Sequence, residues 1–149
     1  MTEVYKLTDK NARTYGGLQW EIGEERTACG EGEMCGPGWL HAYRDPALAV
    51  LLNPIHADFM FPRLFRGEGI IGADDGLKIG CTSIVLIEEL PVPPVTLAQR
   101  VEIAIRCSMR SCSDPAWLSW AENWLAGRDR SERAARAARA TSAPRRSPR

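Results

Sequence analysis

The side chains best suited to chemistry sit in a short segment, Gly38-Trp39-Leu40-His41-Ala42-Tyr43, and at the end of a later apolar run, Glu88-Glu89. On an extended backbone Trp39, His41 and Tyr43 share one face, and Leu40 and Ala42 the other. An imidazole beside a phenol can bind a polar substrate or move a proton near neutral pH. A plainer role is a histidine at the edge of a core, donating one hydrogen bond that fixes its strand. Glu88 and Glu89 are the carboxylates available to such a site, and a solvated strand end is their plainer role.

Cys29, Cys35 and His41 are evenly spaced, and Cys81 could supply a fourth metal ligand. Zinc sites are usually built on a tight pair such as C-x2-C, which is absent, so no metal site is assigned. The five cysteines match no common disulfide framework and read as reduced thiols of a cytoplasmic protein. A phosphate loop, a dinucleotide glycine fingerprint, a nucleophile elbow and a zincin motif are all missing, and no cofactor is implied. Arg130, Arg133, Arg136 and Arg139 recur every third residue. On a helix they would form a drifting basic ridge able to lie along phosphates or an acidic partner. With no aromatic residue among them, a stacking platform for single strands is not expected.

The elements that must position these residues follow from periodicity. Residues 4–7 alternate as a first strand, and residues 18–22 alternate again with Leu18, Trp20 and Ile22 on one side. Residues 24–38, rich in glutamate and glycine, read as a long surface loop. Residues 39–43 form the histidine strand. Asp45-Pro46 starts a helix, with the carboxylate as cap and proline at its first position. Asn53-Pro54 should stop it near Leu52, because proline disfavours helical backbone at the residue before it. Residues 64–71 pair with 77–90 across the Asp75-Gly76 turn. The run 84–87, apolar on both faces, is expected to be a central strand covered on both sides.

Beyond residue 90 the period changes. Residues 91–95, with three prolines, form a stiff connector. A helix is predicted over about 96–109 and a second from Asp114-Pro115 to Gly127, carrying Trp117, Trp120 and Trp124 on one stripe. A third should run from Ser131 to Ala140, and disorder is expected from Thr141. The fold class is α+β: a small, mostly antiparallel sheet with one packed helix, followed by C-terminal helices. Its divisions are a domain at 1–90, the connector at 91–95, a helical segment at 96–126 packing on the domain, and a basic tail at 127–149.

The formal net charge of zero conceals a segregation. Residues 1–125 carry eleven Lys/Arg against seventeen Asp/Glu, a net of −6, and residues 126–149 carry eight Arg against two acids, a net of +6. No apolar run approaches the roughly 20 residues that span a bilayer. The segment after Met1 lacks the apolar core of a signal peptide. A cytoplasmic protein without a membrane partner is therefore expected.

The order Tyr5-Lys6, Gly17-Leu18-Gln19-Trp20-Glu21-Ile22-Gly23, Cys35, Gly38-Trp39-Leu40-His41-Ala42 and Asp45-Pro46 resembles a family of uncharacterised phage and prophage domains. Their pattern is a G-[FL]-Q-[YW]-x-[VI]-G strand, then C-x-x-G-[FW]-H-A-C-x-x-P, then a closing strand ending in I-x-x-E-L, here 84–90. The resemblance covers about residues 4–90. Tyr43 stands where the pattern has cysteine, and Leu40 is an extra residue before His41. It implies a phage-related origin and a cytoplasmic setting. The first reading of function is a non-enzymatic phage or mobile-element accessory protein that binds a host or phage protein or nucleic acid, with the Trp117/Trp120/Trp124 stripe and the arginine ridge as its surfaces. A second reading is a small enzyme similar to ADP-ribosyltransferases, which order a histidine, an aromatic and a late-strand glutamate as His41, Tyr43 and Glu88 or Glu89 stand here. A third is a structural or assembly protein whose helical end mediates oligomerisation.

Overall fold

The computed structural model describes residues 1–142, with the side chains of 140–142 not described, and it divides into two compact units, residues 1–95 and the segment from Thr96 on. The first unit is a five-stranded antiparallel sheet with one helix. β1 (Thr2–Thr8) pairs with β4 (Arg63–Asp74), and β4 pairs with β5 (Ile79–Leu90). The other edge of β5 is shared by two short strands. β2 (Glu25–Thr27) takes Ser83, Ile84 and Val85, and β3 (Leu40–Ala42) takes Ile79, Gly80 and Cys81.

Immediately after β3, Tyr43 exchanges both backbone hydrogen bonds with Tyr5 of β1, at 2.8 and 2.9 Å. This bridge joins the two ends of the order β1-β4-β5-β3, so the sheet closes on itself as a small barrel. Closure requires sharp curvature, and the β4–β5 ladder supplies it through three breaks in register. Ile87 and Thr82 are extra on β5, and Gly72 is extra on β4.

The bulges also overturn one sequence expectation. Inserting Thr82 switches which parity of β5 faces inward, so Ile79 and Cys81 before it and Ile84 and Leu86 after it all reach the core. Val85 is only half-buried and Ile87 is exposed. β5 is central in its pairing, but it is not covered on both faces. The interior also contains Val4, Trp20, Leu40, Ala42 and Phe65.

Two further expectations fail here. Residues 18–22 form no strand: Gln19 bridges Arg13 and Ile22 bridges Leu86 as isolated pairs. Only Trp20 of the three alternating residues is buried, with its Nε1 donating to Thr14 Oγ1 at 2.9 Å. The strand lies instead at Glu25-Arg26-Thr27, inside the predicted loop. Its pairing is with the backbone of β5 and needs no apolar side chain, and a charged strand suits an edge.

α1 (Pro46–His56) begins as its sequence dictates, Asp45 Oδ1 accepting from Leu48 N–H at 2.9 Å. It does not stop at Leu52. Pro54 cannot donate to the turn before it, but the helix passes through it and Ala57 N–H reaches Asn53 O at 3.0 Å. Asn53, buried, secures the exit by bonding Phe59 through both its amide nitrogen and its oxygen, at 2.9 and 3.0 Å. Ala49, Val50 and Leu52 pack with Leu7, Tyr43 and Leu64 outside the barrel.

The second unit is helical. α2 (Leu97–Ser108) opens with a capping box between Thr96 and Gln99. α3 (Pro115–Leu125) is capped by Asp114, which accepts from Ala116 and Trp117, and is followed by Gly127 at φ 72°. α4 is Glu132–Ser142, extending two residues past the predicted end, and the expected disorder at 143–149 lies outside the described residues. Ile105, Ala121 and Trp124 form this unit's core, with Trp117 and Trp120 packed against it.

Candidate functional site

β3 carries His41 on its outer face, opposite the start of β5, and Tyr43 follows directly after β3. Pairing sets His41 across from Gly80 and Ala42 across from Ile79, and Lys78, just before the ladder, is close enough to His41 to act on its charge. Trp39 lies against Gly72 and Gly80: a Cβ at those positions would come within 2.5 and 3.0 Å of its ring. The loop before β3 folds back on itself, Gly30 N–H bonding Gly38 O at 2.8 Å and Trp39 Nε1 donating to Gly32 O at 3.2 Å. Gly38 is required there, since any Cβ would run into the Glu31 carbonyl.

His41 is half-buried, and its Nε2–H donates to the Met34 carbonyl. Burial lowers its pKa, a pull opposed by the Met34 bond and reinforced by Lys78. At neutral pH the ring is therefore uncharged with its proton on Nε2. Tyr43 is buried, and its burial pushes the phenol up to about 12, so it keeps its proton and donates to His56 Nδ1 at 3.0 Å. The two rings stack at 6.0 Å with planes 12° apart. His56 is itself lowered, by desolvation and by Lys78. These bonds tie the loop to β3 and β3 to α1. The expected pairing of His41 with Tyr43 thus becomes two separate contacts, and each histidine is occupied in holding structure.

Beneath β3 lies a residue that sequence reasoning passed over. Lys6 is 5% exposed, inside the barrel between Val4 and Thr8, with Nζ donating to the His41 carbonyl and lying 4.6 Å from the Trp20 ring centroid. Desolvation brings it down to about 8, while Cys81 nearby is pushed up to about 11 by burial. The signal was present in the alternation of residues 4, 6 and 8, which places a lysine on the core face. His56 was missed because the helix was expected to end before it.

Glu88 and Glu89 are not brought to this site. Gly80, opposite His41, and Glu88 are eight residues apart on β5, or roughly 25 Å along an extended strand. Glu88 bonds Arg66 at 2.7 Å and Glu89 bonds Arg63 at 2.8 Å. His41, Tyr43 and Glu88 therefore do not assemble as a transferase site would need. No group of three or more His, Cys, Asp or Glu side chains suited to a metal ion occurs among the described residues.

No family model, curated protein or solved structure matches this chain. The resemblance of residues 4–90 to phage domains gains no support from those comparisons, and function must be argued from the molecule. Among the described residues no helix is long and apolar enough to cross a membrane.

The predicted arginine ridge is shorter than the spacing suggested. Arg130 precedes α4, and its guanidinium lies 4.4 Å from the Trp124 ring centroid while Nε donates to Trp124 O at 3.0 Å. It serves to close the helical unit. α4 itself starts from Ser131, whose Oγ accepts from Ala134 N–H at 3.2 Å. Arg133, Arg136 and Arg139 are all exposed, whereas Ala134 and Ala135 are half-buried and Ala138 is buried. Arg136 pairs with Glu132 one turn earlier, an exposed contact of little energy.

Proposed function

We propose that this chain is a phage or mobile-element accessory protein that acts in the cytoplasm by binding a macromolecule, with the arginine face of α4 as contact surface and a nucleic acid as partner. The observation that carries this reading is the division of α4 between Ala134, Ala135 and Ala138, turned away from water, and the exposed Arg133, Arg136 and Arg139. Residues 1–125 are net negative, so a polyanion would be repelled there and admitted at the basic C-terminal segment that holds this helix. A host or phage protein with an acidic surface would use the same arginines.

Oligomerisation through the tryptophan stripe is less favoured. Trp124 is 7% exposed and Trp117 and Trp120 pack on the same core, so the stripe is largely consumed inside its own unit.

Fluorescence anisotropy with labelled DNA and RNA duplexes and single strands tests the reading. Binding should weaken with salt along a log–log slope of about −2 to −3, as expected for three phosphate contacts. Each Arg→Gln change at Arg133, Arg136 or Arg139 should reduce that slope by about one. Equal affinity and equal salt slope for the triple variant would remove nucleic acid as the partner of α4.

A further inference from the structure

One contact lies outside both the proposed interface and the barrel core: Lys78 Nζ is 3.1 Å from Cys35 Sγ. Each partner is held by its own anchored turn. Cys35 follows Met34, whose carbonyl is bound by His41, and the turn closes with Gly36 N–H on Glu33 O at 2.8 Å. Lys78 leads into β5, and its backbone N–H is fixed by Asp75 Oδ1 at 2.8 Å. Nitrogen and sulfur are thus held near the roughly 3–3.5 Å at which proximity most accelerates bond formation. Cys35 is exposed, so a small oxidant reaches it, whereas Cys81 is buried.

We propose that Cys35 and Lys78 form a modification site, at which hydrogen peroxide closes a reversible sulfur–nitrogen crosslink between the loop before β3 and the β4–β5 turn. In the first step the Cys35 thiol reduces peroxide, giving the sulfenic acid and one water. In the second, the Lys78 amine, having released its ammonium proton to solvent, attacks that sulfur. The S–N bond forms, the S–O bond breaks, and hydroxide leaves with the second amine proton as water. Overall the protein loses two hydrogens and two waters are formed. A dithiol reductant reverses the reaction: its first thiol attacks the Cys35 sulfur, the S–N bond breaks and the amine leaves with that thiol's proton, and its second thiol resolves the mixed disulfide to free Cys35.

The test is peroxide treatment of the full chain followed by intact-mass and peptide mass spectrometry. The expected product is about 2 Da lighter, maps to a peptide joining Cys35 to Lys78, and regains its mass with a dithiol reductant. Lys78→Arg keeps the charge but lacks the primary amine, and should give about tenfold less crosslink or none. Cys29→Ser should leave the crosslink intact. Circular dichroism of each variant checks that these changes leave the fold unaltered. A disulfide between Cys29 and Cys35 in place of the crosslink, or equal accumulation of Cys35 sulfinic acid in wild type and Lys78→Arg, would overturn the assignment.

Discussion

The two units of this chain solve the problem of stability in opposite ways. The barrel is held by partners far apart in sequence: β1 pairs with β4, β3 with β5, and Tyr5 with Tyr43. The helical unit is held largely by neighbours: the Thr96 capping box, the Asp114 cap, Gly127 after α3, and Arg130 folded onto Trp124 only six residues away. The barrel encloses Lys6, whose amine donates to the His41 carbonyl and makes no ion pair with an Asp or Glu among the described residues. The helical unit keeps its cations at the surface, where they can be shared with a partner.

Core truncation should give the largest separation between the two. Trp124→Ala removes the central indole of the helical core and should cost about 3–5 kcal/mol. Ile84→Ala, at a position with no exposure in the barrel, should cost roughly 2–5 kcal/mol. Hydrogen exchange read residue by residue should place the first loss in α2, α3 and α4 and the second in β4 and β5. Equal loosening of barrel amides by Trp124→Ala would show that the units unfold together.

Lys6 gives the next effect. Its folded value of about 8 lies below its ordinary 10.5, so between those values the unfolded chain binds more protons. Stability therefore rises as pH climbs through that window and is lost as pH falls toward 8, by about 3 kcal/mol in full. Cys81 opposes it: at about 11 against an ordinary 9, it makes stability fall between those values. The clean interval is pH 8 to 9. Urea unfolding there should show stability rising in wild type and flat in Lys6→Met, which should also be more stable at pH 7 by roughly 2 kcal/mol. A Lys6→Met variant that is less stable at pH 7 would mean that the bond to the His41 carbonyl outweighs the desolvation.

The same contrast accounts for what could be read from sequence. The caps at Asp45 and Asp114 and the β4–β5 turn are local chemistry, and each lies where its residues indicate. Barrel closure is a single pair of bonds between Tyr5 and Tyr43, and nothing in either neighbourhood announces it. The strand at residues 25–27 was hidden because its bonds are to backbone, while Trp20 reached the core without a strand to carry it. α1 runs past Pro54 against the local preference, with Leu52 packed on Leu7, Tyr43 and Leu64 and with Asn53 fixing the exit through Phe59. At the site, His41 and Tyr43 were legible as chemistry-bearing residues, but their partners Met34 and His56 come from folding. Arg133, Arg136 and Arg139 kept their predicted exposure, and Arg130 did not keep its predicted role because the helix begins after it.

The smallest effects sharpen the comparison most, because they test whether local bonds carry weight in each unit. Asp114 caps α3 through two backbone N–H groups, and Asp114→Ala should cost about 1 kcal/mol. In the barrel, Arg63 holds Glu89 through two nitrogens, yet both side chains are more than a third exposed. Solvent and salt screen such a pair, and it should contribute less than about 1 kcal/mol. A double-mutant cycle with Arg63→Ala and Glu89→Ala, run at low and high salt, measures it directly. A coupling well above the Asp114 effect, and insensitive to salt, would mean that the barrel also depends on side-chain pairs at its surface. A coupling near zero would leave backbone pairing and the buried core as what holds it.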